Sequence, residues 1–196
     1  APAAPPPPRP LVVGHRGAPA RFPETPLPAP RHALAAGADA VEIDVRASAD
    51  DVLVLAHDAT LPPDLCRDAD GRRVRSGLAI RGLSFEALRR FDCGAIPNPR
   101  FPAQRAVPGT PIPSLTEVLD LLAAVELPGA RKASLFLELK YEEDAPAFSP
   151  PRESFARLVV DVLKERGFVD RTIVLSFDHA LLRASRALAP ALRTMP

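Results

Sequence analysis

The run Ala40-Val41-Glu42-Ile43-Asp44-Val45 decides how this chain folds. It reads as a buried β-strand, except that two of its residues are acids. Side chains two apart on a strand share a face. Glu42 and Asp44 therefore point one way, and Val41, Ile43 and Val45 the other. An ion taken out of water without compensation costs several kcal/mol, so two carboxylates on one face of such a strand mark a site. The stretch Ala133–Leu139 repeats the pattern: Glu138 and the following Lys140 share one face, with Leu137 and Leu139 opposite.

Working outward, Leu11–Gly14 is a short strand ending at His15-Arg16-Gly17. Val52–Ala56 is a third strand, ending at His57-Asp58. Thr172–Phe177 is a fifth, and Leu192–Met195 begins a sixth. Between them fall helices over Arg31–Ala36 (closed by Gly37), Thr116–Glu126 (after Ser114), Glu153–Arg166 (closed by Gly167) and His179–Leu188. Residues 59–113 form a long polar excursion with one helix, Ser84–Phe91, capped by Ser84. Alternating strands and helices predict a parallel sheet with right-handed crossovers. An open doubly wound sheet is one form of it, but the polar residues gather at strand carboxyl ends, which favours a TIM-type barrel. Gly14 and Gly17 match neither a dinucleotide fingerprint nor a phosphate loop.

At 196 residues, 46% of them hydrophobic, the chain has the size and apolar content of one domain with a sizeable core. A balance of 25 Lys+Arg against 24 Asp+Glu lacks the basic excess of a nucleic-acid binder. No apolar run approaches the ~20 residues of a transmembrane helix. Proline is in excess, at 25 residues, and six of these fall in residues 1–10, which read as an extended leader. The small residues Ala1 and Ala3 suit a stretch following a cleaved secretory signal, and favour a periplasmic or secreted protein over a cytoplasmic one. Cys66 and Cys93 form no metal motif. They read either as one disulfide of an exported protein or as two free thiols.

Glu42, Asp44 and Glu138 offer only hard oxygen ligands, which suit Ca²⁺ or Mg²⁺ better than zinc. The plainer alternative is that they pair with nearby Arg and Lys. His15 and His57, both at strand ends, could divide acid and base roles near neutral pH. Arg16 and Lys140 add fixed positive charge suited to a phosphate oxygen. Together the set describes metal-assisted attack on an anionic phosphoester. His32 and His179 are expected to face solvent, Glu142-Glu143-Asp144 to be a solvated turn, and Arg72, Arg73 and Arg75 to be loop charge. No serine or cysteine stands in a nucleophile motif.

HRG (His15–Gly17), PE (Pro23-Glu24), EIDV (Glu42–Val45), HD (His57-Asp58), IPSLTEVL (Ile112–Leu119), ELK (Glu138–Lys140) and SF (Ser176-Phe177) occur in this order over residues 11–177. In that order and spacing they resemble the glycerophosphodiester phosphodiesterase family of the phospholipase-C-like phosphodiesterases. The resemblance implies a (β/α)₈ barrel that cleaves glycerophosphodiesters, such as deacylated phospholipids, into glycerol 3-phosphate and an alcohol. It implies His15 and His57 as general acid and base, and Glu42, Asp44 and Glu138 as ligands of a Ca²⁺ or Mg²⁺ ion. Arg16 and Lys140 would contact phosphate, and Glu24 would lie near the metal or support its ligands. Two motifs depart from the family: Thr25 replaces the asparagine of PENT, and Ala49-Asp50-Asp51 replaces a TxDG turn in which glycine is the easier residue.

A barrel of eight βα units runs to about 200–250 residues or more, and this chain spends some fifty on the excursion. The reading is therefore a barrel domain over residues 11–196, truncated after about five to six βα units. Two alternatives stand beside it: another phospholipase-C-like activity, on lysophospholipid or sphingomyelin, and a non-catalytic remnant.

Overall fold

The computed structural model describes residues 10–24, 27–127 and 131–196. In chain order its elements are β1 (Val13–Gly14), α1 (Pro28–Ala35), β2 (Ala40–Ala47), β3 (Leu53–Leu55), α2 (Phe85–Leu88), α3 (Leu115–Ala124), β4 (Glu126–Leu127), β5 (Arg131–Lys132), β6 (Ser134–Leu139), α4 (Arg152–Glu165), β7 (Thr172–Leu175), α5 (His179–Leu188) and β8 (Arg193–Met195). The proline-rich leader, except Pro10, and the Thr25-Pro26 pair lie outside the described residues.

Strand β2 is the axis of the fold and is buried at every position. One edge pairs in parallel with β6 over Ala40–Val45. The other edge is divided, with β1 alongside Ala40 and Val41 and β3 alongside Val45–Ala47. Beyond β6 the parallel order continues through β7 to β8. This is the α/β architecture of a TIM-type barrel, represented by five parallel strands. Among the described residues β1 and β8 are the two ends of the sheet and do not pair with each other.

The segment expected as a third parallel strand is the antiparallel partner of β2, with Val45 opposite Leu55 and Ala47 opposite Leu53. The reason is chain length: residues 48–52 link the two strands, and a parallel crossover needs a dozen or more. Asp51 turns this hairpin at φ 62, the left-handed conformation that glycine adopts most easily.

The apolar face of the sheet carries Val41, Ile43, Val45, Leu135, Leu137, Leu139 and Val174 into a core shared with the helices. Helix α3 meets it with Leu115, Val118, Leu119 and Leu122, the spacing of one helical face. Its start is fixed by a capping box: the Ser114 hydroxyl accepts from the Glu117 N–H at 3.2 Å, and the Glu117 carboxylate accepts from the Ser114 N–H at 2.8 Å. Prolines 28 and 30 fall in the first turn of α1, where a missing N–H costs nothing. Helix α2 is shorter than expected, and a small hairpin, β4–β5, precedes β6 where helix had been expected to run to Glu126.

The excursion is a folded piece with its own core rather than a polar loop. Leu61, Cys66, Val74, Ile80, Leu88, Cys93 and Ile112 pack together with Val54 of β3. A Cys66–Cys93 disulfide staples it, which decides between the two readings of the cysteines. The buried Gln104 fastens it to the loop after β1, donating to Pro19 O at 2.7 Å and Phe22 O at 3.1 Å. Among the described residues no helix is long and apolar enough to cross a membrane.

Candidate active site at the strand carboxyl ends

The His15-Arg16-Gly17 turn is built by its glycine. Gly17 has φ +73, and a Cβ there would lie 2.6 Å from Ala29 C and Pro30 N of α1. Only a residue without a side chain lets the turn sit this close to the helix. Gly17 N–H closes the turn on Gly14 O at 3.0 Å. His15 is thereby lifted to the surface, 73% exposed, with Nε2 3.8 Å from Glu42 Oε2.

The three expected ligands do meet. Asp44 stands directly beside Glu138 in the β2–β6 register, and Glu42 is two residues earlier on the same face. One carboxylate oxygen from each lies within 4.8 Å of the others. Burial, assisted by the charges of Asp44 and Glu138, raises the Glu42 pKa to about 7 against the pull of the Arg16 N–H. That N–H donates to Oε2 at 2.9 Å. The other oxygen, Oε1, is buried with no hydrogen-bond partner. An orphaned buried oxygen within an all-oxygen donor set fits a hard divalent cation.

The cations are interleaved with these acids. Lys140 Nζ lies 2.6 Å from Glu138 Oε1 and 3.1 Å from Asp44 Oδ1. Arg16 donates from Nη1 to Glu24 Oε2 at 3.0 Å. Its Nε lies 3.2 Å from Asp44 Oδ2 but is not aligned for a hydrogen bond. Burial alone would lower the Arg16 pKa. The Glu24 hydrogen bond and the charges of Asp44 and Glu42 outweigh it and raise the value. Glu24 thus grips Arg16 rather than joining the carboxylate trio.

His57 comes from the end of β3 and is half-buried. Its Nδ1 is 2.7 Å from Asp58 Oδ1. A carboxylate can only accept, so Nδ1–H is the donor and Nε2 is the ring nitrogen left facing away from Asp58. The ring shares a cleft with Arg16, Glu24 and Asp44. The cleft wall continues into the excursion, reaching Leu61, Ile112 and the disulfide around a cavity of about 70 Å³. A second opening joins His57 to Glu138 and Lys140.

His32 and His179 are exposed, as expected, although His32 packs edge-on against Phe22 with ring centroids 5.0 Å apart. Arg72 and Arg73 form exposed pairs with Asp70 and Asp64. The 142–144 turn is not simply solvated: Glu142 pairs with Arg46 at 3.0 Å and Glu143 with Arg152 at 2.8 Å. Sequence reasoning passed over Arg46, a buried cation two residues beyond Asp44. The period-two face that flagged Glu42 and Asp44 continues onto it.

The model of the glycerophosphoryl diester phosphodiesterase family matches residues 15–196. A glycerophosphodiester phosphodiesterase of Caldanaerobacter subterraneus is 28% identical over 183 residues, covering 93% of this chain and 64% of that protein. A crystal structure from Silicibacter pomeroyi, assigned to the glycerophosphoryl diester phosphodiesterases, superimposes with a TM-score of 0.85 at 33% identity, covering 94% of this chain and 63% of that one. An Oleispira antarctica phosphodiesterase, solved in complex with its product sn-glycerol-3-phosphate, has a TM-score of 0.71 at 27% identity, covering 94% of this chain and 64% of that one. The chain therefore spans less than two thirds of the length of these relatives. Because the family match runs through every motif that meets at the strand ends, the chain belongs to the glycerophosphoryl diester phosphodiesterase family.

Proposed function

We propose that the protein hydrolyses glycerophosphodiesters to glycerol 3-phosphate and an alcohol, with His15 and His57 as the acid/base pair. The observation that carries this reading is the meeting of Glu42, Asp44 and Glu138, with His15 Nε2 3.8 Å from Glu42. A relative solved with sn-glycerol-3-phosphate supports the product. A divalent cation, Ca²⁺ or Mg²⁺, held by the three carboxylates would supply Lewis-acid neutralisation of the phosphodiester charge.

The chain's own groups divide the remaining work. His57 presents Nε2 to take or give a proton, its ring fixed from Nδ1 by Asp58. His15, exposed at the rim, supplies the opposite proton transfer. Arg16 and Lys140 bring positive charge to the phosphate, and Glu24 holds Arg16 in its rotamer. The buried disulfide supports an oxidising location, periplasmic or secreted.

The test is release of glycerol 3-phosphate from glycerophosphocholine, with Ca²⁺ or Mg²⁺ and with a chelator. Metal-dependent release, reduced by about 10²-fold or more in His15→Ala and His57→Ala, is expected. Wild-type rates in both variants would overturn the acid/base assignment.

A further inference from the structure

The side chain of Arg46 is buried, with 4% of its surface exposed, between Val45 and Ala47 in sequence and on the strand face that carries Glu42 and Asp44. Its three nitrogens have different fates. Nε donates to the backbone carbonyl of His57 at 3.0 Å, and Nη2 donates to Glu142 Oε1 at 3.0 Å. Nη1 is buried without a partner. A buried guanidinium with an unsatisfied nitrogen is costly, and an apolar residue of similar volume would generally serve stability as well or better. Its two good bonds reach the segments that follow β3 and β6, which carry His57 and, just past Lys140, Glu142. Asp58 already fixes the His57 ring from Nδ1.

We propose that Arg46 is a positioning residue for His57: it fixes the backbone carbonyl of the histidine while Asp58 fixes the ring, so that Nε2 is held at one place in the cleft the ring shares with Asp44. Glu142 is the outer anchor that keeps the guanidinium in the required rotamer. The proposal rests on His57 acting as a proton-transfer group. A misplacement of about 1 Å at such a group can cost about 10²-fold in rate.

The experiment compares steady-state kinetics on glycerophosphocholine for the full protein with Arg46→Met, Arg46→Lys, His57→Gln and the His57→Gln/Arg46→Met double variant. Arg46→Met is expected to lower kcat by about 10- to 100-fold with KM within about twofold. Arg46→Lys, which keeps a donor for the His57 carbonyl, should recover part of that loss. In the His57→Gln background the Arg46→Met effect should vanish, because two residues acting through one group are not additive. If His57→Gln has no residual rate, the kcat-against-KM split and the lysine rescue decide. If Arg46→Met does not fold, the Arg46→Lys loss, read in the wild type and in a His57→Gln/Arg46→Lys double variant, decides instead. Unchanged kcat in Arg46→Met, or a rise in KM alone, would overturn the proposal, the latter assigning Arg46 to substrate binding. Wild-type turnover in His57→Gln would instead overturn the acid/base reading on which it rests.

Discussion

Arg152 holds Asp178 with two nitrogens, Nε at 3.0 Å from Oδ1 and Nη2 at 2.8 Å from Oδ2. The same Oδ1 caps α5 by accepting from the Leu181 N–H at 2.6 Å. One carboxylate therefore joins the start of α4 to the start of α5. The Arg152 hydrogen bonds, ahead of the opposing burial, hold the Asp178 pKa below its ordinary value. A depressed folded-state pKa contributes stability above the unfolded value and loses it as pH falls through the folded one. Asp178→Asn keeps a capping oxygen but removes the charge. The wild type should be the more stable at neutral pH, and its advantage should begin to shrink below about pH 4 and be lost as pH falls through the lower folded-state value. Urea midpoints of both proteins across that range check this; a constant difference would refute it.

Removing the disulfide should loosen the excursion first. The bridge closes a loop with a sequence separation of 27, for which loop-closure entropy gives about 3.5 kcal/mol. In Cys66→Ser/Cys93→Ser, hydrogen exchange should rise across residues 59–113 while β2 and β6 amides stay protected. Uniform loss of protection would show that the excursion and the barrel strands unfold as one.

Gly17→Ala tests the turn that carries His15. The left-handed backbone alone costs a non-glycine residue about 1–3 kcal/mol, and the contact with the α1 backbone adds to it. A markedly lower Tm is expected, together with lower activity. Wild-type stability would mean that the turn can move off α1.

Metal binding can be read without turnover. Ca²⁺ or Mg²⁺ at about 100 times its Kd should stabilise the wild type by about 2.7 kcal/mol. In Asp44→Asn and Glu138→Gln the thermal shift should be lost, while His57→Ala should retain it. A full shift in both carboxylate variants would place the cation elsewhere.

Much of this was legible because charge is expensive in a strand. Glu42, Asp44 and Glu138 announced a site by interrupting apolar runs, and the structure puts Asp44 beside Glu138. Ser114 marked the start of α3 in the same local way, and the structure adds Glu117 to its cap. The direction of β3 was also written in the chain, in the shortness of residues 48–52. Apolar content alone does not show that direction; the length of the connection does. The core of the excursion could not be read: Leu61, Val74, Ile80 and Leu88 follow no period, and their meeting depends on a cross-link that spacing alone left open. Gln104 gave no signal, since a single amide in a proline-rich stretch looks like any surface residue.

The Gln104 clasp bears on the order of folding. It joins residues 85 and 82 positions apart, and Arg105 N–H adds a further bond to Arg21 O at 2.8 Å. Contacts of such separation form late, after local structure has lowered the entropy of closing the loop. The segment Pro19–Phe22, close behind His15, cannot take its final shape until the excursion has folded against it. During synthesis the site's earliest-made residues therefore wait for a stretch made more than eighty residues later.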